Sequence, residues 1–190
     1  AQQNPFIRVI DKENTGAGDC RNVGLKEAKG EYVLFLDADD FFEHDMLEIT
    51  LSKIEKTQAD FVIFNSNQFD DKTKQFVDSD WFVIYDFFPN EETFNYSQIS
   101  GNIFKSIVGW AWDKLYRSSF VKKHNLRFQE QRTTNDALFV FSALFLANKT
   151  SPEVFLSNLW QGKTGSLSCF FRLVVKVSEF PSTTSIPEGL

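Results

Sequence analysis

The chain has 190 residues, 42% hydrophobic and 24% charged, a globular composition of a length for one domain with room for an appendage. Disordered, collagen-like and disulfide-stapled architectures are thereby excluded. Twenty-six acidic against 20 basic residues give a net charge of −6, and no Lys/Arg block forms a broad phosphate-binding surface, which argues against nucleic acid as a partner. Cys20 and Cys169 lack CxxC or Cys/His spacing for zinc. The longest apolar stretch, Ala137 to Ala147 with Ser142 inside it, falls short of the roughly 18–20 residues that cross a bilayer, so no transmembrane span is predicted.

In chain order, Phe6 to Ile10 is a short β-like run, followed by a small-residue, polar loop from Asn14 to Asp19. Helical character begins near Cys20 and stops at Gly30. The nearly continuous apolar run from Glu31 to Asp37 has the length and β-preferring composition of a buried central strand, and it ends abruptly at acids. Asp45 and Glu48 have N-cap and N3 spacing for a helix whose Leu47, Leu51 and Ile54 share one face. Phe61 to Phe64 is another buried-strand candidate. Strand, helix, strand, helix, strand in this order reads as an α/β fold with a largely parallel sheet.

Beyond Asn65 the expected elements are a polar loop at 66–80, a strand from Trp81 to Phe88 and a helix from Ser97 to Ile107. A loop then leads into a helix between Trp110 and Asn125. Thr134 or Asn135 caps an apolar helix from Asp136 to Ala147, which is hydrophobic nearly all round and is therefore expected to be buried. After Ser151, Pro, Ser, Thr and Gly gather around two apolar runs, Val154 to Leu156 and Cys169 to Val177.

Chemistry concentrates at Asp37, Asp39 and Asp40. Alternate side chains of an extended segment share a face, so Asp37 and Asp39 converge where the buried strand meets solvent. Open parallel sheets bind ligands at the carboxyl ends of their strands. Two hard carboxylates there suit Mg²⁺ or Mn²⁺, which commonly share oxygen ligands with a substrate phosphate. The competing reading is a solvated acidic turn that ends a strand.

The wider pattern is Asn14-Thr-Gly16, Arg21-Asn22-Val-Gly24-Leu25, Ala28-Lys-Gly30-Glu-Tyr32 and Phe35-Leu36-Asp37-Ala-Asp39-Asp40. It resembles the middle of family 2 glycosyltransferases, and Trp112-Asp-Lys114-Leu115-Tyr116-Arg117 with Asn135-Asp136 resembles their acceptor-side half. The resemblance covers roughly residues 5 to 150 and fades in the tail. It implies a partial GT-A fold of the nucleotide-diphospho-sugar transferase type, with a mixed, mainly parallel sheet flanked by helices. Residues 1–150 would form the C-terminal portion of that domain and residues 151–190 a tail of open structure. Family members begin with strands that hold the nucleotide base. Their absence before Phe6, together with a start at Ala1 and a single Met, Met46, makes a longer parent protein the expectation.

The family's site residues carry over by position. Asp37 and Asp39 would form the metal and diphosphate motif, Asp37 nearer the ribose and Asp39 nearer an Mn²⁺ or Mg²⁺ ion. Arg21 and Asn22 would lie beside the nucleotide, and Gly16 would let the backbone pass close to it. Asp136 stands where the family has its catalytic base, preceded here by Asn135 in place of the usual Glu, and Trp110 and Trp112 would floor the acceptor pocket. The implied reaction is inverting transfer of a sugar from a nucleotide diphosphate, a UDP-sugar favoured, to a hydroxyl of a saccharide or glycoconjugate acceptor. Its implied setting is polysaccharide or glycoconjugate synthesis in the cytoplasm, with a peripheral position at the inner membrane face left open. Two alternatives stand beside it. One is an inactive fragment or degenerate paralogue that keeps at most metal or diphosphate binding. The other is an aspartyl-phosphate phosphatase, which also places DxD after an apolar strand but does not put a Phe two residues on, as Phe41 is here.

Overall fold

The computed structural model describes residues 7–37, 40–70, 72–77, 81–161 and 172–173, the last strands by their backbone. A sheet is flanked by helices on both faces. Strand β1 (Tyr32–Leu36) and strand β2 (Phe61–Asp70) run in the same direction, because each pairs antiparallel with β4 (Lys114–Arg117), which lies between them. Val33 and Phe61 both face Tyr116 in register. Strand β5 (Thr150–Gln161) adds parallel to β2, with a register shift between Phe64 and Asn65. Strand β6 (Arg172–Leu173) pairs antiparallel with the end of β1. The α/β class is as expected, but the sheet is mixed where a mainly parallel one was expected: among the described strands β2 and β5 pair parallel and the other pairings are antiparallel, so β1 and β2 share a direction without sharing hydrogen bonds.

The apolar runs follow from burial on both faces. Val33, Phe35, Phe61, Ile63 and Tyr116 point into one core cluster, while Tyr32, Leu34, Val62, Phe64 and Leu115 point into the other. Helix α2 (Met46–Thr57) covers the second cluster with Met46 and Ile54. Helices α1 (Ala17–Glu27) and α5 (Ala137–Leu146) contribute Leu25 and Phe139, Val140, Ala143 and Leu144 to the first. The many Phe residues make this a core of ring contacts: Phe128 stacks on Phe139 at 4.2 Å, and Phe35 meets both edge-on at 4.8 and 5.6 Å. Asp45 occupies the N-cap position of α2 as expected, but its side chain accepts no cap hydrogen bond.

Several expectations are corrected. Phe6 to Ile10 is not a strand over its described part, residues 7–10. The polar stretch after Asn65 is not a loop. It continues β2 to Asp70 and turns back as β3 (Gln75–Val77), with Asp70 Oδ1 accepting the Lys72 and Thr73 N–H groups at 2.8 and 3.3 Å. Trp81 to Phe88 is not a regular strand. It makes one bridge, Val83 to Ile107, and a 3₁₀ turn at Tyr85–Phe87, because Phe82 and Val83 are drawn into the core. The helix expected over Ser97 to Ile107 shrinks to α3 (Tyr96–Ile99), entered through a capping box made by Asn95 and Gln98. Strand β4 is followed directly by α4 (Ser118–Lys123), so the loop expected after Trp110 contains a central strand. Finally, α5 is buried on one side only: Leu138, Phe145 and Leu146 are exposed.

Close backbone approach holds α1 in place. A Cβ on Gly18 would lie 2.0 Å from the Gln129 carbonyl oxygen and 3.2 Å from Asn135 Cβ, whereas one on Gly101 would meet open space. Gly18→Val is expected to lose about 1–3 kcal/mol of stability, and Gly101→Ala to stay within about 0.5 kcal/mol of the parent. Urea denaturation midpoints of the two variants check this contrast.

Candidate active site

Asp37 follows the last residue of β1, at the carboxyl end of a strand buried on both faces. Its Oδ1 accepts a hydrogen bond from Arg21 Nη2 at 2.9 Å. The other guanidinium arm, Nη1, donates to Asn135 Oδ1 at 2.6 Å. Arg21 is only 5% exposed, and its guanidinium carbon lies 5.5 Å from the centre of the Phe128 ring. One buried cation therefore joins the end of β1 to Asn135, the residue before the N-cap of α5.

Asn22, next to it on α1, spends its side chain on the backbone of Phe128: Nδ2 donates to the carbonyl at 3.0 Å and Oδ1 accepts the N–H at 2.9 Å. That reciprocal pair fixes α1 against the 128–135 segment. The geometry thus assigns Asn22 a scaffold contact. Gly16 stands at the N-cap of α1 with φ +99°, a conformation that requires glycine, and its carbonyl accepts the Cys20 N–H at 3.2 Å.

Asn135 is buried, and its carbonyl accepts the Gln129 N–H at 3.0 Å. Asp136 is the N-cap residue of α5, without a side-chain cap bond. Burial raises its carboxyl above the usual carboxylate range, with Asp37 pushing the same way, while the charges of Arg21 and Lys114 pull it down. An acid at a helix start often serves the dipole alone. Here the side chain also lies within the field of Arg21, Asp37 and Lys114.

The tryptophans divide in role. Trp112 is buried at 6% exposure and stacks on the half-buried Trp110, ring centres 5.2 Å apart. Trp112 therefore backs Trp110 from inside the core. Trp81, absent from the sequence-based site, is 53% exposed and meets Trp110 edge-on at 5.7 Å. Gly109 brings this wall to Asp136, since a Cβ there would sit 3.2 Å from Ala137 Cα, one residue past Asp136. Trp81 follows a polar stretch and no spacing marks it, so only the fold reveals it.

Beneath the wall is a second charged pair. Lys114, fully buried, donates from Nζ to Asp113 Oδ1 at 2.5 Å and to the carbonyls of Trp110 and Val108 at 2.8 and 3.3 Å. Burial pushes the Asp113 carboxyl up to about 6 against the pull of Lys114, and its Oδ2 is buried without a hydrogen-bond partner. Tyr116, also fully buried, has its hydroxyl pushed up by burial and by the nearby Asp113 and Asp136 charges.

Asp37 offers hard oxygen ligands of the kind that Mg²⁺ and Mn²⁺ take. Arg21 already engages Oδ1. Asp39 lies outside the described residues, and among the described residues no group of three or more His, Cys, Asp or Glu side chains is placed to hold a metal ion. The oxygen chemistry of Asp37 fits a cation whose remaining ligands would come from residues outside the described ones or from substrate.

The raised Asp113 carboxyl sets a pH dependence. Between its unfolded value of 3.8 and its folded value of about 6, the folded state binds more protons than the unfolded state. Its stabilising contribution is therefore complete below 3.8 and is lost as pH rises towards about 6. The stability of the parent relative to Asp113→Asn is expected to fall across that window and level off above it. Paired urea denaturation curves taken through the window measure the slope, and a flat difference would contradict the assignment.

Residues 1–143 match the profile of glycosyl transferase family 2. EpsH of Bacillus subtilis (strain 168) is 34% identical over 155 residues, covering 80% of this chain and 43% of that protein. The cholesterol galactosyltransferase of Borreliella burgdorferi is 30% identical over 169 residues, with the same coverage of 80% and 43%. The chain thus spans less than half the length of these curated relatives. Among solved structures, S. aureus TarS 1–349 in complex with UDP superposes with a TM-score of 0.59 at 22% identity, covering 80% of this chain and 42% of that one. The UDP-GlcNAc complex of the same protein gives a TM-score of 0.59, covering 81% and 41%. The fold is therefore that of the GT-A glycosyltransferases, and the chain belongs to glycosyl transferase family 2.

Proposed function

We propose that the site serves inverting transfer of a sugar from a UDP-sugar to a hydroxyl group of a saccharide or glycoconjugate acceptor, in polysaccharide or glycoconjugate synthesis. The observation that carries this reading is the convergence of Asp37, at the end of a central strand, and Asn135-Asp136, at the start of α5, on the guanidinium of Arg21. TarS has been crystallised with UDP and with UDP-GlcNAc, which supports a UDP-sugar as the donor class.

In this reading Asp37 and Asp39 hold Mn²⁺ or Mg²⁺, an ion that supplies charge neutralisation to a departing diphosphate. Gly16 lets the chain pass close to the nucleotide. Arg21 orients Asp37 and adds a fixed positive charge on the donor side. Asp136 accepts the proton of the acceptor hydroxyl as its oxygen attacks the anomeric carbon. A carboxylate raised by burial is a stronger base than a solvated one, which suits that role. Attack from the face opposite the nucleotide, with no enzyme-bound intermediate, inverts the anomeric centre. Trp110, backed by Trp112 and flanked by Trp81, offers the acceptor sugar an aromatic surface beside Asp136.

Turnover is followed as UDP release from UDP-glucose, UDP-galactose and UDP-GlcNAc with Mn²⁺, and the anomeric configuration of the product is read by proton NMR. Asp136→Asn should lower transfer by about 10²- to 10⁴-fold, Asp39→Ala should remove the response to Mn²⁺, and the product should carry the inverted configuration. Undiminished transfer by Asp136→Asn would remove the base from the mechanism, and a retained configuration would rule out the single displacement.

A further inference from the structure

A lysine with no exposed surface is uncommon, and Lys114 has three oxygen partners, two of them backbone carbonyls on one short turn. Val108 and Trp110, which supply those carbonyls, flank Gly109. Gly109 is the residue pressed against the first turn of α5: its Cβ position lies 3.0 Å from Phe141 Cε2 and 3.2 Å from Ala137 Cα. The ammonium group thus holds both sides of the point where the Trp110 wall touches the helix that begins after Asp136. The turn is also tied from outside, Val108 N–H donating to the Phe82 carbonyl at 3.0 Å. Asp113 is anchored through its own carbonyl, which accepts the Phe64 N–H at 3.0 Å.

We propose that Lys114 is a positioning residue of the acceptor side: by clamping the carbonyls of Val108 and Trp110 it locks the Gly109 turn against α5 and holds Trp110 and Asp136 in one fixed relation. This role rests on the transferase reading above for its purpose, though not for its geometry. A neutral residue of similar length would fill the space and leave both carbonyls without the donor. A buried charge kept where a hydrophobe would pack is a known cost to stability, and one accepted reason for its retention is that it specifies a single geometry.

The groups facing Asp136 from the elements around it are Arg21 on α1, Asp37 at the end of β1, and Lys114, Asp113 and Tyr116 from β4 and the turn before it. Of these, Lys114 supplies both a positive charge that pulls the Asp136 carboxyl down and the hydrogen bonds that shape the wall. Its removal is therefore read in two ways that a merely structural lysine would not combine.

The test is NMR on the full chain without donor or acceptor, so that its outcome is independent of whether turnover is found. In Lys114→Met the carboxyl titration of Asp136 should move upward, and the Trp110 indole and Gly109 amide resonances should shift, while the amides of α2 stay in place. A folded Lys114→Met with unchanged Asp136 titration and unchanged Trp110 and Gly109 resonances would overturn the proposal. Should Lys114→Met fail to fold, the neutral pair Asp113→Asn/Lys114→Met, which strands no buried charge, carries the test: displaced Trp110 and Gly109 resonances support the clamp and parental ones refute it. In the turnover assay the same variants should raise the acceptor KM about tenfold with the donor KM unchanged. An equal change in both constants would refute a role confined to the acceptor side. Absence of turnover in the parent would count against the transferase reading and leave the NMR result standing.

Discussion

The buried guanidinium of Arg21 organises the site. It reaches Asp37 at the end of β1 with one arm and Asn135, just before Asp136, with the other. Charge-assisted hydrogen bonds of this kind contribute about 1.5–3 kcal/mol each, and the same bonds are costly to leave half made in a buried setting. Several contacts around Arg21 fix its placement. Gly18 lets α1 approach the Gln129 backbone, Asn22 latches α1 to Phe128, and the Phe128 ring lies against the guanidinium. Elements distant in sequence thereby meet at one cation.

Asn135 gives Arg21 a neutral partner. The Asn135 amide and the Asp37 carboxylate both accept from Arg21, so of these two acceptors one is neutral and one charged. Asp136 gains from this arrangement, because burial raises its carboxyl and Arg21 and Lys114 hold the rise in check. The balance is between desolvation, which makes a better base, and two cations, which keep the charged form accessible. Lys114 with Asp113 forms a second, deeper charge pair under the aromatic wall, so polar contacts shape that wall inside an otherwise ring-packed core.

Much of the fold was legible where local pattern and tertiary role agree. The run ending at Asp37 is apolar without alternation because β1 is buried on both faces, and α2 lies close to the expected place. Strand β4 was hidden because Lys114 and Arg117 break its apolar run. A buried lysine looks like a surface residue until its three oxygen partners are seen. The polar half of β2 owes its extended shape to its hairpin partner β3 and to β5, and β5 lies far outside any local window. Helix α5 misled in the other direction: its uniform hydrophobicity suggested full burial, yet Leu138 and Phe145 face outward. At the site, the resemblance picked out Arg21, Asp37 and Asp136, which share one electrostatic environment. It put Asn22 beside the nucleotide and Trp112 at the floor of the acceptor pocket; in the fold the Asn22 side chain bonds the Phe128 backbone and Trp112 stacks on Trp110 from the core. Trp81 carried no local signal, and the Lys114 contacts to Val108, Trp110 and Asp113, though close in sequence, stand out only once the lysine is seen to be fully buried.

In the proposed function, Arg21, Asp37 and their neighbours form the diphosphate side of a donor site. Titration calorimetry of the chain with UDP-GlcNAc, in the presence and absence of Mn²⁺, tests it most directly. Saturable binding that requires Mn²⁺ and disappears in Asp39→Ala is the predicted result; no binding in either condition, or binding indifferent to Mn²⁺ and to Asp39, would contradict the claim.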